Sequence, residues 1–253
     1  MNKANQKISA LLITYNEEDN INEVLTNLSF ADEIIVVDSY STDNTINLIK
    51  KHKNVQLICR EFVNYTDQKK YTLEQANYDW VLFIDADERI TPSLKAEILE
   101  VINRPHKIVA YYFQRTFMFK TEKLRFSGWQ SDKNYRLFRK SKVHFNQDRI
   151  VHETLVVDGL SGTLSNKLLH YSYKGYEDYK RKMLKYGKMK AREEVKKGKK
   201  ARWYHFIFRP LYKFLNHYII RLGILDGKKG LTICYLNALG VWARYQELKL
   251  LQS

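Results

Sequence analysis

Through the first hundred residues, short apolar runs alternate with stripes of apolar residues at helical spacing. Residues 8–13 form an uninterrupted apolar-rich run that stops at Thr14-Tyr15-Asn16-Glu17-Glu18-Asp19-Asn20. Ile21, Val24, Leu25 and Leu28 then recur every three to four positions, the mark of one helix face, with Asn16 placed to cap it and acids in its first turn. The pattern repeats: an apolar run at 33–38, a turn at 39–43, and a helix through Ile46 and Ile49 to Lys53. A third strand at 55–58, a helix at 66–76 and a fourth strand at 80–84 follow. Such alternation predicts right-handed crossovers and an α/β, Rossmann-like, doubly wound and mostly parallel sheet, with ligands at the carboxyl ends of its strands. Asn16, Asp38, Asp85 and Asp87 fall at such ends.

From residue 108 the texture changes. Residues 108–119 are rich in Tyr, Phe and Val, and 134–139 form a second extended run, so added strands and an aromatic wall are expected. His152 and His170 lie beside apolar runs, where by residue type alone a satisfied core histidine is the better reading than a metal ligand. Residues 176–200 read as a basic helix. Leu211, Phe214, Leu215, Tyr218, Ile219 and Leu222 then fall at helical spacing opposite Lys213, Asn216, His217 and Arg221, and Leu231, Tyr235, Ala238, Leu239 and Trp242 repeat the arrangement. The uncharged part at 231–243 is too short to span a bilayer. These amphipathic, basic and aromatic helices suit an interfacial membrane position, with packing on the protein itself or on a second subunit left open. The expected division is a catalytic domain at 1–173, with a nucleotide-binding half (1–105) and an acceptor half (106–173), and a helical, basic, amphipathic C-terminal extension at 174–253.

Charge sharpens this division. The formal net charge is +15, but residues 1–100 carry 10 basic and 17 acidic side chains, whereas 174–213 carry 15 basic and 4 acidic ones. An acidic half able to hold a cation is followed by a basic segment suited to phosphate-rich surfaces. Two cysteines, Cys59 and Cys234, make no disulfide framework, which suits a reducing cytoplasm, and the stretch at 1–6 has no apolar core behind it to act as a signal peptide. No glycine precedes Gly128, so neither a dinucleotide fingerprint nor a P-loop is available, and phosphates bound by this half need a metal and basic side chains.

The run Trp80-Val81-Leu82-Phe83-Ile84 ends in Asp85-Ala86-Asp87-Glu88. If strand alternation continues, Asp85 and Asp87 point to one side, and two carboxylates so placed repel each other unless a hard cation such as Mg²⁺ or Mn²⁺ sits between them. The plainer alternative is that Asp87 or Glu88 only caps the helix suggested by Thr91-Pro92-Ser93.

Thr14-Tyr15-Asn16-Glu17-Glu18, the run from Val37-Asp38-Ser39 to Asn44-Thr45, and Ile84-Asp85-Ala86-Asp87-Glu88 resemble, in order and spacing, three motifs of family-two glycosyltransferases with the A-type fold. Arg136-Leu137-Phe138-Arg139, Val151-His152-Glu153, Leu169-His170-Tyr171 and Leu225-Asp226-Gly227 resemble the branch that includes bacterial lipopolysaccharide inner-core β-glucosyltransferases. Ser39 stands where many relatives carry a second aspartate. The resemblance implies a nucleotide-sugar donor, uridine-linked, and inverting transfer to an acceptor hydroxyl. It assigns Tyr15, Glu17 and Asp38 to the nucleoside, Asp85 to the ribose or metal shell, Asp87 to an Mg²⁺ or Mn²⁺ ion, and His170 to the same ion. The base is Glu153 or, alternatively, Asp132 beside Trp129; Arg136 and Lys69 are candidates to face the diphosphate or an acidic acceptor.

The resulting expectation is a metal-dependent hexosyltransferase at the cytoplasmic face of a membrane, peripheral on an anionic membrane surface. Its acceptor is a lipopolysaccharide-core or other lipid-linked saccharide, with no nucleic acid as partner and a homodimer left open. A nucleotidyltransferase is the alternative within enzymes, though its glycine- and lysine-rich early loop is missing. A basic nucleic-acid-binding protein is the alternative outside them, and it leaves the acidic strand ends without a purpose.

Overall fold

The computed structural model describes residues 6–105, 107–128, 133–145, 155–173 and 175–252. The strands and helices in chain order are β1 (Ile8–Thr14), α1 (Ile21–Asn27), β2 (Glu33–Asp38), α2 (Thr45–Ile49), β3 (Val55–Cys59), α3 (Tyr65–Gln75), β4 (Trp80–Phe83), β5 (Glu88–Arg89) and α4 (Pro92–Asn103). Next come β6 (Ile108–Phe119), β7 (Glu122–Lys123), β8 (Lys133–Arg139), β9 (Val143–Phe145), β10 (Leu155–Val157), β11 (Leu160–Thr163) and β12 (Leu168–Tyr173). Helices α5 (Tyr176–Lys196), α6 (Phe208–Leu215) and α7 (Gly227–Leu250) complete the chain. It forms two compact units, one of residues 1–115 and 132–170, the other of 116–131 and 171–253.

In the first unit β3, β2, β1 and β4 run parallel in that order, and β8 then pairs antiparallel with β4 and with β6. Because strand side chains alternate, β1 feeds two cores. Ile8, Ala10 and Leu12 pack with α1, with Ile49 of α2 and with Leu94, Ile98 and Ile102 of α4, while Leu11 packs with Ile35, Val81, Phe83 and Leu73 of α3. Helices thus cover both faces, and the parallel strands are apolar on both sides, as the continuous runs in the sequence require.

Two local readings change. Asn16 caps no helix: its φ is 55°, and its side-chain oxygen accepts the Thr42 amide (2.8 Å) while its own amide donates to Ser41 Oγ (2.8 Å). It ties the loop after β1 to the loop after β2, a role suited to Asn because it tolerates the left-handed conformation. The fourth strand ends at Phe83, and residues 84–87 turn, with the Glu88 amide donating to Asp85 O (3.0 Å). Strand alternation therefore does not set the relation of Asp85 to Asp87.

In the second unit the end of β6 and β7 form a hairpin, and Phe117, Leu124, Tyr179, Ile233 and Leu236 make a core. Helices α5 and α7 approach closely at two glycines: a Cβ on Gly187 would lie 2.4 Å from Gly240 O. Residues 125–128 are held by the C-terminal part of the chain. The buried Asp226 carboxylate accepts the amides of Arg125 (3.0 Å) and Phe126 (2.9 Å), and the Ser127 amide donates to Arg221 O (2.9 Å).

Candidate active site

The carboxyl ends of β1, β2 and β4 line up because β1 pairs in register with both neighbours, from Ser9↔Glu33 to Thr14↔Asp38 and from Ile8↔Trp80 to Leu11↔Phe83. At this edge Asp38 is fully buried. Its oxygens accept Thr14 Oγ1 (2.9 Å), the Ser41 amide (2.7 Å) and Ser41 Oγ (2.6 Å), so the carboxylate shapes the loop after β2. Ser39 next to it accepts Gln68 Nε2 (3.1 Å), and Gln68 Oε1 accepts Arg60 Nη1 (2.8 Å). Tyr15 is exposed, and the Glu17 amide donates to Thr45 Oγ1 (2.8 Å) while its carboxylate accepts Asn20 Nδ2 (2.6 Å).

After β4 the three carboxylates separate into two partner sets. Strand β8 pairs antiparallel with β4 through Leu82↔Leu137, which brings Arg136 alongside the end of β4. Arg136 bonds to Asp85 and also to Glu88 (2.7 Å), Arg115 on β6 reaches Glu88 (3.1 Å), and Lys69 on α3 lies 4.0 Å from Asp85. Burial pushes the Asp85 carboxyl upward, but Arg136, then Lys69 and Arg115, outweigh it and hold the group well below the usual carboxylate range. Burial is also the largest influence on Glu88 and raises its carboxyl, with Asp85 adding to the rise and the two guanidiniums opposing it.

Asp87 turns elsewhere. Strand β12 pairs antiparallel with β5 at Leu169↔Arg89 and His170↔Glu88, and this register sets His170 Nε2 3.2 Å from Asp87 Oδ2. The turn is fixed from beneath by buried Arg89, which donates to Ala86 O (2.7 Å), Glu88 O (2.8 Å), Asn20 O (3.2 Å) and Glu23 (2.9 Å). The helix that follows is capped by Thr91, whose Oγ1 accepts the Leu94 amide (3.2 Å), so neither Asp87 nor Glu88 serves as its cap.

The structure thus brings Asp85, Asp87, Lys69, Arg136 and His170 to one strand edge, and places Asp38, Glu17 and Tyr15 on the neighbouring loops. Asp85 is not a bare partner of Asp87: it is neutralised by Arg136, which is itself buried and spent on two carboxylates. Glu153, Asp132 and Trp129 lie outside the described residues. Sequence reasoning missed Arg115 and Arg89; the signal for Arg115 was a charged residue inside the apolar run of β6, where only a buried partner makes it tolerable.

A carboxylate oxygen and an imidazole nitrogen in contact, both partly open to solvent, form a donor pair that suits Mg²⁺ or Mn²⁺ with other positions left for waters and phosphate oxygens. Among the described residues, no group of three or more His, Cys, Asp or Glu is placed to hold a metal by itself. The model of the family described as glycosyl transferase family 2 matches residues 9–156.

The chain belongs to glycosyl transferase family 2.

This glycosyltransferase has the α/β fold of its family, with a helical C-terminal region. It is 28% identical to the lipopolysaccharide core biosynthesis glycosyltransferase LpsC of Rhizobium meliloti, over 94% of this chain and 93% of that one. It is 29% identical to an uncharacterised glycosyltransferase of Rickettsia typhi, over 96% and 87% of the two chains. Among solved structures it resembles S. aureus TarS over 96% of this chain and 55% of that one (TM-score 0.49, 16% identity). It also resembles Mycobacterium tuberculosis glucosyl-3-phosphoglycerate synthase, solved in complex with Mn²⁺, UDP and glucosyl-3-phosphoglycerate, over 46% of each chain (TM-score 0.39, 25% identity).

Proposed function

We propose that this family 2 glycosyltransferase moves a hexose, with inversion, from a UDP-glucose-like nucleotide-diphosphate sugar to a lipopolysaccharide-core or other lipid-linked saccharide. The acceptor class is supported by the name of the LpsC relative, which matches over nearly the full length of both chains. The work is placed at the cytoplasmic face of a membrane, where such acceptors are presented. The single observation that carries the donor chemistry is the contact of Asp87 with His170 beside an edge where Asp85 and Glu88 are paired with Arg136 and Arg115 and Lys69 adds a further positive charge.

Asp87 and His170 would hold Mg²⁺ or Mn²⁺. When bound, such an ion supplies positive charge that is worth more to the departing diphosphate than to the intact donor. Lys69, set beside Asp85 and stacked on the Phe83 ring (5.5 Å), adds fixed positive charge at the same edge. Asp85 and Glu88 keep Arg136 and Arg115 in place, so the edge is preorganised before substrate arrives. Asp38 and Asn16 order the two loops that receive the nucleoside, with Tyr15 and Glu17 on the first of them. Glu153, or alternatively Asp132 with Trp129 beside it, takes the acceptor proton on the face opposite the leaving group, as a single inverting displacement requires.

The test is a thermal-shift and hydrolysis screen of sugar nucleotides with and without Mn²⁺, on the wild type and on Asp87→Ala. A metal-dependent response to one donor that disappears in Asp87→Ala is expected. A donor response that is unchanged in the variant overturns the metal role.

A further inference from the structure

Helix α6 and the residues around it reverse the usual amphipathic arrangement. Phe208, Leu211, Tyr212, Leu215 and Ile219 fall on one helical face, and all are exposed. Lys213, Asn216 and His217, the polar side of the same stretch, turn inward, with His217 buried and its Nδ1 2.8 Å from Ser127 O. The exposure continues on both sides of the helix: Trp203 is 72% exposed, Tyr212 65%, Ile220 71% and Leu225 62%. A helix in water is expected to do the opposite, and contiguous apolar exposure of this kind marks a contact surface.

Charge selects the occupant. Residues 195–225 contain eight Lys or Arg and no Asp or Glu. A second copy seated on this face would bring like charge against like charge, whereas anionic headgroups above an acyl layer complement both the basic side chains and the apolar ones between them. Trp203, Tyr204 and Tyr212 are of the type favoured where one end of a side chain is wet and the other dry.

We propose that residues 203–225 are a membrane-interfacial docking surface that seats on an anionic lipid monolayer. The long helix α7 differs in burying one face, with Ile233, Cys234, Leu236, Ala243 and Leu248 inside its own unit, although its Leu231, Tyr235 and Trp242 are exposed. Its purpose rests on the proposed lipid-linked acceptor, but its binding is read without donor or acceptor.

The test is flotation of the full chain with phosphatidylcholine vesicles, with and without phosphatidylglycerol. Binding to the anionic vesicles alone is expected. The double variant Leu211→Glu with Ile220→Glu, both at exposed positions, is expected to bind at least about tenfold more weakly, and Arg209→Ser several-fold more weakly, while Leu160→Glu on the other unit binds as the wild type does. Circular dichroism melting checks that each variant folds. Equal binding by the wild type and the double variant, or no binding by the wild type, overturns the proposal. So does a wild-type dimer in sedimentation that the double variant loses without any vesicle binding, which would assign the face to a second copy. Donor hydrolysis by the double variant stays at the wild-type level in every case, so failure here leaves the transferase reading standing, and loss of hydrolysis in Asp87→Ala tests that reading separately.

Discussion

Arg136 is the side chain on which the acidic strand end depends most directly, since it joins Asp85 to Glu88 with almost no exposure of its own. Removing one member of a buried ion cluster leaves the others desolvated and uncompensated, so Arg136→Ala is expected to cost about 3–5 kcal/mol in urea unfolding. Asp87 and His170 are more open, and on the proposed metal role His170→Ala is expected to melt near the wild-type temperature and to show no gain in melting temperature on addition of Mn²⁺ and donor, where the wild type is expected to gain. His217 gives a pH signature. Burial, with Lys213 and Arg221 nearby, pushes it down to about 4, against the Ser127 carbonyl that favours its charged form. An unfolded histidine titrates near about 6.5. The folded value lies below that, so the stability linked to neutral His217 is present above about pH 6.5 and is lost as pH falls toward about 4. Urea midpoints of the wild type should therefore drop between pH 7.5 and pH 5, and those of His217→Gln should drop less. The sequence showed Asp85, Asp87 and Glu88 as three acids within four residues, but it hid that they would take different partners, because a turn replaces the strand geometry that alternation assumes.

At the scale of elements the first half was readable because both faces of its parallel strands are covered, which leaves apolar runs with clear stops, and the stripes on α1 and α4 have ordinary helical spacing. Thr91 was visible as part of a helix start, and it is the cap; Thr91→Ala is expected to cost about 1 kcal/mol by chemical denaturation. Helices α5 and α7 were visible as helices, yet their contact was not, because it rests on Gly187 and Gly240, residues that leave no apolar signal. Gly187→Ala would thrust a methyl at the Gly240 carbonyl, and overpacking of this kind is expected to cost about 1–3 kcal/mol, read as a fall in melting temperature. The stripe on α6 was equally plain in the sequence, but periodicity finds a face without saying which way it points. Only the placement of His217 against Ser127 shows that the polar side goes inward.

Over the whole molecule, the contrast between an acidic beginning and a basic later segment carries into the structure as two kinds of surface. The acids of the first hundred residues are partly consumed in loop order and ion pairs, whereas the stretch 195–225 contains eight Lys or Arg and no acid of its own, with Lys199 reaching back to Glu194 (3.5 Å). Attraction to anionic vesicles should therefore weaken several-fold as salt rises from about 0.05 to about 0.5 M, since the screening length contracts to a few ångströms over that range. Among the described residues no helix is long and apolar enough to cross a membrane. The pairing of β12 with β5 also has a bearing on how the protein is made. Asp87 emerges from the ribosome more than eighty residues before His170, and the ladder that unites them closes only when β12 has been synthesised. A nascent chain halted before that point already holds every strand of the parallel sheet, yet lacks the histidine half of the proposed metal grip.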